Sequence, residues 1–193
     1  IKIAEDGEIL VAGDNVMKGY WNDPEATART ITDGWLKTGD IGYLDAAGYL
    51  RITDRKRDFI KNSGGDMIAP AKVEGALTLA PEIAQAMVFG DQRPHLVAIL
   101  VPDPEFAAQV APRAELAALT NDAGLIKALG DAVSRVNATL PAIERVRRFI
   151  IAREAFTTAN GQLTPTLKVK RHIVRAVYRD ALEALYEAKS PAA

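Results

Sequence analysis

The sequence predicts an α+β chain, in which a strand-rich opening stretch is followed by one where helices and strands interleave. Three observations predict it. Up to about residue 54 the apolar runs are short and closed by glycine and aspartate turns. Beyond residue 55, stripes at helical spacing alternate with continuous apolar runs of strand length. The clearest stripe, near the C-terminal end, is helical.

Taken in order, EILVA (8–12) is a short apolar run closed by Gly13 and Asp14, the pattern of a buried strand and turn. VMKGYW (16–21) reads as a second extended piece. Asp23 followed by Pro24 supplies a cap and a proline at a first helical position, so 24–31 is expected to be a short helix. IGYL (41–44) and YLRIT (49–53) flank Asp45-Ala-Ala-Gly48 and read as a hairpin. From Pro70 a helix carries Val73, Ala76, Leu77 and Ala80 on one face. IAQAMVFG (83–90) and HLVAILVP (95–102) read as a buried strand pair. Asp103-Pro104 caps another helix, and Leu125, Ile126, Leu129, Val133 and Val136 line the next. VRRFIIA (146–152) is a further strand. A single last helix is expected to carry Ile173, Val174, Val177, Tyr178, Ala181, Leu182 and Leu185 on one face, with Arg171, Arg175 and Arg179 elsewhere. Trp21 and Trp35 read as core anchors.

Composition removes several function classes. With 48% hydrophobic and 25% charged residues over 193 positions, the chain has the make-up of a folded globular protein. Its 24 Lys and Arg against 25 Asp and Glu give a net charge of −1, so no global field draws it to nucleic acid or an anionic bilayer. The absence of cysteine removes disulfides, thiol nucleophiles and thiolate zinc sites. The two histidines, His95 and His172, lie far apart in sequence without carboxylate companions, and read as structural. No metal site is expected in this stretch. No apolar run approaches the ~20 residues of a membrane helix and no signal peptide precedes the first strand, which makes the cytoplasm the expected compartment. The chain opens at Ile1 inside a strand-rich unit and reads as part of something longer.

Three clusters spend glycine, proline and charge where packing does not require them. GWLKTGD (34–40) ends in Asp40, whose carboxylate offers two acceptor oxygens at a spread that suits a ribose diol, or caps a turn. DRKRDFIKNSGGDMIAP (54–70) sets four cations, at 55, 56, 57 and 61, before Gly64 and Gly65. Such a pair permits positive φ and close approach of a ligand, or makes a solvated turn. No Gly-Lys-Ser/Thr follows, so it is not a Walker loop. In NGQLTPTLKVKR (160–171), Pro165 stiffens a polar loop ahead of Lys168 and Lys170, either of which can deliver a point charge to phosphate or carboxylate oxygens.

The order and separation of these clusters resemble the adenylate-forming enzymes: acyl-CoA synthetases, luciferases and nonribosomal peptide adenylation domains. GWLKTGD is similar to their Trp-x-x-Thr-Gly-Asp element, DRKRDFIKNSGGDMIAPAKVE to the segment crossing their domain junction, and LTPTLKVKR to their C-terminal lysine element. The resemblance covers roughly residues 8–180. It implies that residues 1–54 end a large AMP-binding domain, from a distorted β-barrel part, and that 55–193 form the mobile C-terminal lid. It further implies that Asp40 holds the AMP ribose hydroxyls, that Arg55 reaches the same nucleotide, and that Arg57 is the hinge. Ser63, Gly64 and Gly65 would line the pantetheine tunnel, and Lys168 would bind the substrate carboxylate and α-phosphate region. Two departures stand out: Arg57 occupies a position where relatives usually have Asp or Lys, and Thr166-Leu167 replaces the usual Ser-Gly before the lysine. The Leu-Thr-Pro-Thr form is most similar to long-chain fatty acyl-CoA synthetases.

The implied substrates are a fatty acid, ATP and CoA, with Mg2+ ligated by the missing N-terminal part. That missing domain is the implied partner, so the piece alone is expected to be inactive. Its uncovered apolar faces favour self-association, and peripheral membrane contact is open to the complete enzyme. In the implied reaction a movable lysine assists carboxylate adenylation and then swings away at Arg57, so that a thiol channel takes its place. The competing expectations are an aryl- or other acyl-acid ligase, an acyl-AMP ligase that loads a carrier protein, and a noncatalytic module that kept the lid fold.

Overall fold

The computed structural model describes residues 1–112 and 115–187, without the side chains of Asp54 and Arg57. The chain is α+β and divides into two compact units, Ile1–Phe59 and Ile60–Ala193.

The first unit is an antiparallel sheet of β1 (Lys2–Ile3), β2 (Glu8–Val11), β3 (Ile31–Thr32), β4 (Trp35–Leu44) and β5 (Leu50–Arg55), with one helix, α1 (Pro24–Thr30). The long β4 pairs with β2, β3 and β5. The expected cap is present, because the Asp23 carboxylate accepts the Ala26 N–H at 2.8 Å ahead of Pro24. The expected hairpin is present too: Asp45 accepts the Ala47 and Tyr49 N–H groups, and the Gly48 N–H returns to the Asp45 carbonyl at 2.8 Å. Two expectations fail here. Residues 16–21 are loop and turn, without a strand partner beyond one isolated bridge from Tyr20 to Asp23. Trp21 is 92% exposed and anchors nothing, whereas Trp35 is half-buried under the Lys2 ammonium, 4.3 Å from its ring centre. Ile9 is the one buried apolar side chain of this unit among the described residues, while Tyr43, Leu44, Tyr49 and Ile52 stand exposed.

The second unit opens with a small hairpin, β6 (Ile60–Lys61) and β7 (Met67–Ile68), and leads into α2 (Pro70–Thr78). Its main sheet has the order β10-β9-β8, from β8 (Ile83–Phe89), β9 (Leu96–Pro102) and β10 (Val146–Ile151). β8 runs antiparallel to β9 and β10 runs parallel to it, the crossover passing through α3 (Pro104–Val110) and α4 (Ala123–Asn137). Because helices cover both faces, every residue of β9 is buried, which is why its sequence is an unbroken apolar run. Leu96, Ala98 and Leu100 meet α2 and α4 through Val73, Leu77, Leu125 and Leu129. Val97, Ile99 and Val101 meet Val174, Tyr178 and Leu182 on the opposite face.

Val174 and Leu182 belong to two helices, α5 (Arg171–Val177) and α6 (Arg179–Glu187), where the apolar stripe predicts one. The break is at Tyr178, which leaves the helical region at φ −106° and ψ 15°. Its hydroxyl accepts the Arg153 N–H at 3.0 Å, and Val177, expected on the buried face, is 58% exposed.

Candidate functional site

In the first unit the geometry begins with a bulged strand. Gly39 takes φ +73°, a left-handed conformation that glycine adopts without strain, and β4 continues through it. Asp40 therefore lies inside β4 and not ahead of a strand. Thr38 Oγ1 donates to the Ile9 carbonyl at 2.7 Å and accepts the Asp40 N–H at 3.1 Å, which ties this stretch to β2. Asp40 and Arg55 are cross-strand partners, and their side chains meet, Nε to Oδ1, at 3.0 Å. The pair is partly exposed, at 25% and 53% of side-chain surface for Asp40 and Arg55. A carboxylate so held keeps a second oxygen for a diol, and a guanidinium beside it balances its charge.

Beneath this pair lies a group that the motifs do not reveal. The buried Glu8 carboxylate accepts the Gly39 N–H at 2.9 Å and the Lys56 ammonium at 2.9 Å, and Lys56 also meets Asp6 at 2.5 Å. Glu8 thus fixes both the bulge before Asp40 and the residue before Arg57. The only local signal is an acid at the head of the apolar run EILV. Hydrogen bonding to Asp6, then to Glu8, raises the Lys56 pKa, and the same ammonium holds Asp6 below the usual carboxylate range.

These shifts have a definite sign in stability. A depressed acid contributes stability above its ordinary pKa of about 3.9, lost as pH falls through the folded value; a raised lysine contributes below about 10.4, lost as pH rises through the folded value. Wild type is therefore expected to melt higher than Lys56→Met by a constant margin between about pH 5 and 9, corresponding to roughly 1 kcal/mol. The margin closes below about pH 4. A margin independent of pH down to acid unfolding would contradict the ion-pair assignment. Arg57 follows in the 3-10 turn Lys56–Asp58, and its side chain lies outside the described residues.

In the second unit, Ser63, Gly64 and Gly65 form the exposed tip between β6 and β7. The tip is built on Asn62, whose buried side chain donates to Asp66 Oδ2 at 2.9 Å and accepts the Asp66 N–H at 2.9 Å. Gly65 closes the turn at φ +92°, with open space where a Cβ would stand. The Ser63 N–H donates to the Arg93 carbonyl, which anchors the loop from behind. Gly64 and Gly65 present bare backbone beside the exposed Ser63, a surface that can admit a narrow ligand.

Lys168 sits on a second exposed tip. Leu163 bridges to Val169 and the Lys170 N–H donates to the Gln162 carbonyl at 2.8 Å, which makes a narrow hairpin of 162–170. At its end the Thr164 N–H donates to the Lys168 carbonyl, and Thr164 Oγ1 accepts the Lys168 N–H at 3.0 Å. Leu167, where relatives were expected to carry glycine, keeps a glycine's conformation at φ +60°, at a cost of about 1–2 kcal/mol. Lys168 is exposed and Lys170 half-buried at the start of α5.

Sequence reasoning also missed Glu74 and Arg171, the last residues of two of its motifs. They form a two-pronged ion pair within the second unit, at 2.7 and 2.5 Å. His95 is partly buried, with its ring centre 5.1 Å from that of Tyr186; burial, then Arg148 and Arg147, lowers its pKa. Among the described residues no three His, Cys, Asp or Glu gather as a metal site, and none is assigned to Mg2+. No helix among them is long and apolar enough to cross a membrane.

Comparison with known proteins gives these parts a common setting. Long-chain-fatty-acid--CoA ligase FadD15 of Mycobacterium tuberculosis is 41% identical over 192 residues, which take in 96% of this chain and 32% of that protein. Long-chain-fatty-acid--CoA ligase 5 of Rattus norvegicus is 37% identical over 193 residues, covering 96% of this chain and 28% of that protein. The A-PCP didomain of a carboxylic acid reductase from Segniliparus rugosus, solved in complex with AMP, matches at a TM-score of 0.79 and 33% identity, over 93% of this chain and 24% of that one. The chain thus spans about a third of the length of the curated relatives it matches. Residues 57–190 match the AMP-binding enzyme C-terminal domain family, and the chain belongs to that family.

Proposed function

We propose that this chain is the C-terminal third of an ATP-dependent ligase that activates a long-chain fatty acid as its acyl-adenylate and then transfers the acyl group to CoA. The observation that carries the reading is the reach of the 41% identity to FadD15. It extends over 96% of the chain, and so takes in the Asp40–Arg55 pair and the Lys168 hairpin together. Residues 1–54 are read as the end of the large nucleotide-binding domain and 55–193 as the lid. The exposed Tyr43, Leu44, Tyr49 and Ile52 are then faces for the rest of the protein.

In the first half-reaction a carboxylate oxygen attacks the α-phosphorus of ATP and the bond to pyrophosphate breaks. Asp40 accepts hydrogen bonds from the ribose hydroxyls, and Arg55 orients Asp40 while facing the nucleotide. Lys168, protonated, stabilises charge on the phosphorane oxygens; it acts as a positioned cation and moves no proton. Exposure of Lys168 at a braced tip supports it over the half-buried Lys170. Mg2+ would be held by residues of the large domain outside this chain and would supply neutralisation of phosphate charge. In the second half-reaction the CoA thiolate attacks the acyl carbonyl and AMP leaves. Lys168 must then give way, and rotation at Arg57 brings the Ser63-Gly64-Gly65 tip to the thiol channel.

The solved A-PCP neighbour favours a second reading, in which the acceptor thiol belongs to a carrier protein. Full-length protein supplied with palmitate and ATP is expected to exchange pyrophosphate into ATP and, on addition of CoA, to release palmitoyl-CoA. Exchange without CoA transfer selects the carrier reading, and no exchange with any fatty acid contradicts both.

A further inference from the structure

Given the adenylation role proposed for Lys168, we infer that Glu74 and Arg171 are positioning residues for that lysine: their ion pair is the footing of the hairpin that presents it. Arg171 Nη1 meets Glu74 Oε1 at 2.7 Å and Nη2 meets Oε2 at 2.5 Å, a fork that fixes direction as well as distance. Glu74 is itself oriented, because Oε1 also accepts the Val88 N–H at 2.8 Å from β8. Its side chain is 14% exposed and that of Arg171 27%, so water screens the pair little.

A continuous set of contacts leads from the fork to the tip. Arg171 is the first residue of α5, and the Lys170 before it donates its N–H to Gln162 across the hairpin base. The Leu163–Val169 bridge follows, and then the two hydrogen bonds between Thr164 and Lys168. A tilt at the base therefore carries Lys168 with it. The two ends of the fork are unequally held. α2 is sunk in the core through Val73 and Leu77, both 0% exposed, whereas α5 buries Val174 alone. When the fork is loosened, the α5 end and its hairpin are the part that moves. The Ser63-Gly64-Gly65 tip does not depend on the fork, since it is held by Asn62, Asp66 and Arg93.

The consequence is a loss confined to one half-reaction. In the full-length protein, Arg171→Lys keeps the charge and loses the fork, and Glu74→Gln keeps the shape and loses the charge. In each, the kcat of palmitate-dependent pyrophosphate exchange is expected to fall about 10- to 100-fold, with the KM for ATP changed less than about threefold. Palmitoyl-CoA formation from supplied palmitoyl-adenylate should stay within about twofold of wild type. Misfolding cannot mimic this split, because it removes both activities. Equal loss of both half-reactions in both variants, or undiminished exchange in either, overturns the inference. Lys168→Ala in the same assays separates this inference from the reading beneath it. If exchange survives Lys168→Ala, the role of the lysine is wrong; if exchange is lost there yet intact in the fork variants, only the positioning role fails.

Discussion

Lys168→Ala in the full-length protein is expected to lower the rate of acyl-adenylate formation by at least about 10²- to 10³-fold, the loss typical of removing one preorganised charge from a transition state. Thioester formation from supplied acyl-adenylate and CoA should survive largely intact. The hairpin gives the variant every chance to fold, because Lys168 contributes main-chain hydrogen bonds to Thr164 while its side chain stands exposed. Lys170→Ala is the matched control and should keep adenylation, since Lys170 contributes its N–H to the hairpin base. Retention of both half-reactions by Lys168→Ala, or loss of adenylation by Lys170→Ala alone, would move the charge to the other lysine.

Arg57→Pro is expected to give the complementary result: adenylation persists and thioester formation falls by about 10²-fold or more, because proline fixes φ near −65° where the lid must turn. The neighbouring geometry explains why one position can carry the motion. Lys56 is clamped to Asp6 and Glu8, so the main chain is held up to the residue before Arg57. Phe59 then resumes an extended course at φ −58° and ψ 137°. Arg57→Gly, which leaves φ unrestricted, should support both steps. Loss of both half-reactions in Arg57→Pro with both intact in Arg57→Gly would show that the turn is needed throughout and not only for the swing.

Local chemistry made much of the second unit and the edges of the first legible. Asp23-Pro24 and Asp103-Pro104 each cap a helix through hydrogen bonds that span two or three residues, and such contacts are written in adjacent letters. The paired apolar runs 83–90 and 95–102 could hardly be anything but buried strands, and β9 is covered on both faces. Where the readings failed, the deciding contact was distant or conformational. VMKGYW has strand-forming residues, but no neighbouring strand is available to pair with it, and Gly19 packs so closely on Thr27 that an added Cβ would lie 2.8 Å from its side chain. Periodicity from Ile173 to Leu185 is continuous, yet the helix breaks at Tyr178, whose hydroxyl is tied to Arg153; a stripe of spacing does not register a single residue out of line. Thr-Gly-Asp reads as a turn because glycine and aspartate favour turns, whereas the left-handed Gly39 makes a bulge and the strand runs on.

The candidate site was legible in its exposed members and not in its supports. Asp40, Arg55, Lys168 and the Gly64-Gly65 tip could be named because clustered charge and glycine stand out in the sequence from packing residues, although Asp40 and Arg55 lie in strands and not in turns. Glu8, Lys56, Glu74 and Arg171 could not, since each is defined by a partner 48 or 97 residues away. A carboxylate inside an apolar strand and an arginine at a helix start are the only local marks they leave.

The most direct measurement is a crystal structure of the full-length protein with a stable analogue of the acyl-adenylate bound. The Lys168 ammonium should lie within hydrogen-bonding distance, about 3 Å, of a phosphate or carboxyl oxygen of the analogue, with Asp40 on the ribose hydroxyls. An ammonium remote from the analogue there, and remote also with ATP or AMP bound, would contradict the account.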